Sequence, residues 1–145
     1  MKIYLASDHA GFKLKEALKK FLTGPGYEIE DCGAFSLDPE DDYPTFVRLA
    51  AKAVADDPDR RKAIIIGGSG QGEAMVANRY HGVRAAVFYG GPIDIIKLSR
   101  EHNDANVLSL GARFLPEFEA LKVVELWLKT PFSKEKRHQR RIDSF

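Results

Sequence analysis

The chain has 145 residues, 44% of them hydrophobic and 30% charged, the length and balance of a single globular domain spanning residues 1–145. Its 22 Lys and Arg against 21 Asp and Glu leave a net charge of +1, which excludes a nucleic-acid partner bound through bulk positive charge and an acidic disordered chain. No apolar run approaches the roughly 20 residues that span a bilayer, so no membrane partner is expected. The opening Met1-Lys2-Ile3-Tyr4-Leu5-Ala6-Ser7 meets Asp8 too soon for a secretory leader, and cytoplasmic placement follows as an expectation. A lone cysteine, Cys32, rules out an intrachain disulfide and a Cys-based zinc site and reads as packing.

Strand and helix patterns alternate from the start. Lys2 to Ala6 is a short apolar run broken at Ser7-Asp8-His9-Ala10-Gly11. Leu14, Ala17, Leu18, Phe21 and Leu22 then fall at the spacing of an amphipathic helix, which Gly24-Pro25-Gly26 stops. Tyr27 to Cys32 alternates as a strand and leads into an acidic stretch. Residues 28–42 carry seven acids and no Lys or Arg, and Asp41-Asp42 within them reads as solvated surface. A helix is predicted from about Pro44 to Ala55. Lys62 to Ile66, with three consecutive isoleucines, predicts a central strand buried on both faces. After a glycine-rich turn come a helix from Glu73 to Arg79, a strand from Arg84 to Phe88 and a helix from Pro92 to Glu101. A strand from Ala105 to Leu110 and a helix from Pro116 to Lys129 follow. Five β-α units predict an α/β fold, a three-layer αβα sandwich of Rossmann-like type. Its five-stranded parallel sheet carries helices on both faces, and the order of the last two strands is open.

Ligands in such folds bind at the carboxyl ends of the strands. Four segments are expected to gather there: Ser7 to Gly11, Gly67 to Glu73, Glu101 to Asn103, and Gly111 to Arg113. The turn Gly67-Gly68-Ser69-Gly70-Gln71-Gly72-Glu73 has the setting of an anion site, between a strand and a helix N-terminus. Yet Glu73 stands where a dinucleotide fingerprint needs its third glycine and where a phosphate loop needs lysine. A carboxylate there repels a nucleotide phosphate. The turn is therefore either an oxyanion hole with an adjacent carboxylate base, or a tight connection whose Glu73 complements the helix dipole. Asp8-His9 ends the first strand as a cap or a functional pair. His102-Asn103 is a helix C-cap or part of the site, and Arg113 follows the fifth strand.

The charge is unevenly placed. Residues 134–145 carry a surplus of +3, and the rest of the chain sums to −2. In this basic segment Arg137 and Arg141 stand at i, i+4, so a helix would aim both at one point, a fit for a phosphate dianion. The alternative is a solvated tail. The path of the preceding helix carries 130–145 away from its own chain's strand ends by roughly 20 Å. Reaching a neighbouring subunit's site is the shorter solution. His81 and His138 have no evident partner, and metal-ligand spacing is absent.

Taken together these residues resemble the ribose-5-phosphate isomerase B family, which includes the galactose-6-phosphate isomerase subunits. The likeness runs through Ser7-Asp8-His9-Ala10-Gly11, Gly67 to Glu73, Ala77-Asn78-Arg79 and Gly82-Val83-Arg84-Ala85. It continues in Ser99 to Asn106, Gly111-Ala112-Arg113 and Arg137-His138-Gln139-Arg140-Arg141. The resemblance implies aldose–ketose isomerisation of a small phosphorylated sugar through an enediol(ate), with no metal and no organic cofactor. In one branch of the family a cysteine in the turn is the carbon base. That position is Gly67 here, so the chain resembles the other branch, with Glu73 as base. By resemblance His102 and Asp8 serve ring opening and proton handling. Gly68, Ser69, Gly70, Gln71 and Gly72 hold the reacting oxygens, with Ser69 counted among the catalytic groups. Asp8, His9 and Asn103 contact the sugar, and His9, Arg113, Arg137 and Arg141 the phosphate. The resemblance also implies sites shared between subunits of a homodimer or dimer of dimers. Two alternatives stay open: a six-carbon phosphosugar isomerase acting on allose or galactose 6-phosphate, and a non-catalytic phosphosugar-binding module.

Overall fold

A computed structural model describes all of residues 1–145. Its elements, in chain order, are β1 (Lys2–Ser7), α1 (Phe12–Thr23), β2 (Glu28–Asp31), α2 (Tyr43–Asp56), β3 (Arg61–Gly67) and α3 (Gln71–Ala77). There follow β4 (Ala85–Phe88), α4 (Asp94–Glu101), β5 (Val107–Gly111), α5 (Glu117–Lys129) and α6 (Lys136–Ile142). The predicted strands and helices all form, with ends shifted by a few residues. The main shift is at α4, which starts at Asp94 because Pro92 and Ile93 form a turn in front of it.

The five strands are all parallel in the order β2-β1-β3-β5-β4, so the last two are exchanged relative to chain order. The alternation of side chains across a strand decides the layers. Ile3, Leu5, Ile64, Ile66, Leu108 and Leu110 point to one face, where Leu14, Leu18 and Leu22 of α1, Ile96 of α4 and Trp127 of α5 cover them. Tyr4, Ala6, Ala63, Ile65 and Val107 point to the other, under Val47, Ala50, Ala51 and Val54 of α2 and Ala77 of α3. The isoleucine run is thus central and buried on both faces, as its composition predicts. Each such side chain fully withdrawn from water contributes about 1.5–3 kcal/mol before chain entropy is charged against it.

The sheet presents two edges to the connecting chain. Register pairs Ser7 with Ile66 and Gly67 with Gly111, so the chain leaving β1, β3 and β5 emerges side by side at the carboxyl edge. The chain leaving β2 joins them, because the Ser7 amide donates to the Gly33 carbonyl and the Ala34 amide to the Ser7 carbonyl, both at 2.7 Å. Helices α4 and α5 run back down, and their C-termini meet at the amino edge. There Arg100 donates to the Thr130 carbonyl at 3.1 Å and the Ser133 amide to the Glu101 carbonyl at 3.2 Å. No helix is long and apolar enough to cross a membrane.

Candidate active site

The glycine-rich turn is pinned before it is functional. The Gly67 and Gly68 carbonyls accept from the amides of Ala112 and Arg113 at 2.8 and 3.1 Å, so the turn is riveted to the end of β5. Ser109 donates to the Gly70 carbonyl at 2.6 Å from below. Gly70 itself sits at φ +77°, a left-handed conformation that favours glycine, with the Leu110 backbone against its α-carbon. The chain then enters α3, whose first amides have no intrahelical acceptor. Ser69 Oγ accepts from the Gln71 amide at 3.4 Å.

Glu73 follows within the first turn of α3 and is buried. Its carboxylate lies directly over the α-carbon of Gly67: a β-carbon added there would fall on the carboxyl atoms. The backbone of Gly67 is ordinary strand, so glycine is required here for space and not for conformation. A side chain at 67 and the Glu73 carboxylate would compete for one volume. Burial pushes the Glu73 carboxyl above its ordinary value, Asp8 adds to the rise, and the residue's own amide opposes it. Gly67→Ala is expected to displace the carboxylate, lowering kcat by at least tenfold and stability by about 1–3 kcal/mol. Steady-state turnover and a thermal melt check this, and near-normal turnover would disconnect Glu73's position from the activity.

Asp8 closes the other side of the edge. It is buried, and its Oδ1 accepts from the Ala10 and Gly11 amides at 3.0 and 3.3 Å. One carboxylate oxygen is therefore spent on the loop while the other is not. Arg113 packs its guanidinium across Gly68, its own side exposed to solvent. His9 meets Asp41: the His9 amide donates to Asp41 Oδ1 at 2.9 Å, and the ring Nδ1 lies 2.6 Å from the same oxygen. Asp41 is thus a correction to the solvated-surface expectation, whereas its neighbour Asp42 is exposed as expected. The topology held the missing signal, because the loop after β2 emerges at the same carboxyl edge. Tyr43, at the start of α2, was also missed, and its phenol packs on the α-carbon of Gly72. Side-chain ligand atoms of Asp8, His9 and Asp41 all lie within 4.8 Å of one another. His9 Nδ1 and Asp41 Oδ1 are spent on each other, however, which makes this an ion pair beside a loop cap rather than a ligand set.

The expected gathering of four segments fails at one of them. His102 and Asn103 follow α4 and precede β5, so they sit at the amino edge, the far end of a five-residue strand from Gly111. At ~3.3 Å per strand residue that is on the order of 16 Å from the turn. The physical reason is that α4 runs antiparallel to the strands: a residue at its C-terminus cannot share an edge with residues at strand C-termini. The basic segment joins His102 there. His138 of α6 stacks on the His102 ring with centroids 4.1 Å apart and planes 14° from parallel, which supplies both with the partner the sequence did not suggest. Burial, reinforced by His102 and the nearby arginines, lowers the His138 pKa, so it offers a neutral platform. Arg137 and Arg141 are exposed on α6, and Arg137 is held only by Glu135 at 2.8 Å, a surface pair worth little. Within the chain, then, Asp8, His9, the turn, Glu73 and Arg113 share the carboxyl edge, while His102, Asn103, Arg137 and Arg141 lie together at the amino edge.

An αβα sandwich with a buried carboxylate tucked under a glycine-rich turn fits an acid–base enzyme that handles protons on carbon or oxygen. Residues 3–145 match the family model described as Ribose/Galactose Isomerase, and the chain belongs to that family. It is 46% identical over 143 residues to ribose-5-phosphate isomerase B of Mycolicibacterium paratuberculosis, covering 99% of this chain and 88% of that protein. The fold superposes on ribose-5-phosphate isomerase B of Mycoplasma genitalium, solved with bound ribulose-5-phosphate. The TM-score is 0.94 at 39% identity, covering 99% of this chain and 92% of that one. The Clostridium thermocellum enzyme of the same name gives a TM-score of 0.92 at 40% identity, over 99% and 94% of the two chains.

Proposed function

We propose that the chain interconverts ribose 5-phosphate and ribulose 5-phosphate through an enediol(ate), with Glu73 as the carbon base. The observation that carries this reading is the buried Glu73 carboxylate seated over Gly67, at the mouth of the turn and within the field of Asp8. In the open-chain aldose the carboxylate takes the proton from C2, and the electron pair passes to the C1 carbonyl oxygen. The same carboxyl returns its proton to C1 while the hydroxyl proton on O2 passes to O1, leaving a C2 ketone. No net oxidation occurs and no cofactor is consumed. Amides at the head of α3 meet negative charge that exists only along this path, so they lower the barrier without over-binding the substrate. Asp8, with one oxygen fixed, is placed for proton exchange among the sugar oxygens.

The same proposal assigns the second half of each site to a partner copy. His102 opens the ring as acid, Asn103 contacts hydroxyls, and Arg137 and Arg141 join His9 and Arg113 on the phosphate. Support comes from the separation of the two half-sites within one protomer and from two guanidiniums on α6 with no buried partner. In this reading 1–145 is one domain whose segment 130–145 serves another subunit, in a homodimer or a pair of them. A charged sugar phosphate does not cross membranes, which together with a lone buried thiol supports a cytoplasmic setting.

Purified protein is expected to convert ribose 5-phosphate to ribulose 5-phosphate without added metal and with no loss in chelator, followed by ketose absorbance. Faster turnover of allose or galactose 6-phosphate under the same conditions would move the assignment to six-carbon substrates. Binding without turnover of any of the three would leave only a phosphosugar-binding module.

A further inference from the structure

We propose that Asp41 is a positioning residue for phosphate recognition: its carboxylate fixes the ring of His9 and supplies the counter-charge for a cationic imidazole facing the sugar phosphate. The inference rests on the reading of His9 as a phosphate ligand and goes beyond it by naming what makes that histidine fit for the task.

Three observations carry it. First, a single oxygen, Asp41 Oδ1, takes both the His9 amide at 2.9 Å and ring Nδ1 at 2.6 Å. A carboxylate only accepts, so Nδ1 carries the hydrogen and the ring is locked in two ways, through its own backbone and through its side chain. Only Nε2 is left to face a ligand. In a neutral ring with hydrogen on Nδ1, Nε2 presents a lone pair, which repels a phosphate oxygen. Recognition therefore requires hydrogen on both nitrogens.

Second, the Asp41 side chain is only 9% exposed, and its Oδ2 is buried with no hydrogen-bond partner. A carboxylate so placed needs a full positive charge beside it, because burial penalises an uncompensated anion. The imidazole in contact with it, 29% exposed, is the group that can carry that charge. Third, the charges around His9 sum the right way. Asp41 from the loop after β2 and Asp8 from the end of β1 favour the cation, while burial and Arg113 from the end of β5 oppose it. The hydrogen bond that His9 Nδ1 donates to Asp41 is the largest of these influences, and it raises the pKa above its ordinary value. Without Asp41, burial first and the Arg113 guanidinium second would be opposed by Asp8 alone.

The test uses the full-length protein. His9 is titrated by NMR of the imidazole in wild type and in Asp41→Asn, and steady-state constants for ribose 5-phosphate are measured across pH. In wild type the His9 midpoint lies above about 6.5, and in Asp41→Asn it falls toward that value. The variant's KM rises roughly five- to tenfold at about pH 7.5, with kcat within about twofold, because the lost interaction binds ground and transition states alike. The alkaline decline of kcat/KM, where His9 loses its proton, moves to lower pH, and Asp41→Glu restores part of it. A wild-type His9 midpoint at or below the ordinary value overturns the proposal with no variant needed. So does a shifted midpoint in Asp41→Asn with an unchanged KM. His9→Ala separates the two layers: if it leaves KM for the sugar phosphate untouched, the assignment of His9 to the phosphate fails, whatever Asp41 does to its ring.

Discussion

Replacing Glu73 by glutamine is expected to cut kcat about 10²–10⁴-fold while KM for the sugar phosphate changes no more than a few-fold. The amide keeps the size and planarity of the carboxyl, so the packing over Gly67 survives. What it removes is the carboxylate seated over Gly67 that is proposed to accept the proton from carbon. The pH dependence of the wild-type enzyme follows from the same burial. The Glu73 carboxyl is pushed up by desolvation first and by Asp8 second, so the acid limb of kcat/KM lies above the ordinary carboxylate range. Activity is lost as pH falls through that raised value, because the base becomes protonated. Stability moves the opposite way. A carboxyl whose folded pKa is raised binds its proton more tightly in the folded state, so ionising it destabilises the fold once pH passes the unfolded value. Glu73→Gln should therefore raise Tm near neutral pH and give no gain near pH 4. Such a pairing of lost turnover and gained stability marks a residue kept for chemistry. Turnover near wild type in Glu73→Gln would remove it from the role of base.

Mixing two inactive variants is expected to restore activity. On the proposed sharing of sites, Arg137→Ala spoils the half at the amino edge and Glu73→Gln the half at the carboxyl edge. In a mixed dimer one composite site inherits both defects and the other inherits neither. Co-refolded at equal amounts, the pair should recover about a quarter of wild-type activity, since random pairing puts half the protomers' sites in mixed dimers and half of those are intact. Each variant alone stays near its own low level. A mixture no more active than the two variants measured apart would mean that every site is built within one chain. The separation makes that outcome costly to reconcile with the fold: Arg137 and Arg141 share the amino edge with His138 and His102, a whole strand length from Glu73.

The elements of the sheet were legible because each is written in a local pattern. Period-two alternation and the isoleucine run mark strands, and the spacing of Leu14, Leu18 and Leu22 marks α1 with its buried side. The turn and Glu73 stood out for a different reason, since a carboxylate in place of an expected glycine or lysine contradicts both the dinucleotide fingerprint and the phosphate loop. Asp41 was not legible. It sits in an acidic loop that, read alone, is a solvated surface, and its burial depends on β2 lying beside β1 so that its loop reaches His9. His138 escaped for the same reason, as its partner lies far along the chain.

By itself, then, the sequence determined an all-parallel αβα domain, a glutamate closing a glycine-rich turn, and a basic segment apart from an acidic body. Those are properties of residue type and short spacing, which local physics reads directly. Only the tertiary structure decided which residues share an edge. It exchanged β4 and β5 in the sheet and sent His102 and Asn103 to the amino edge, because a helix between parallel strands must run against them. It also brought Asp41 to His9. Strand order and which loops meet are set by how elements pack, and no residue pattern records that until the sheet is assembled.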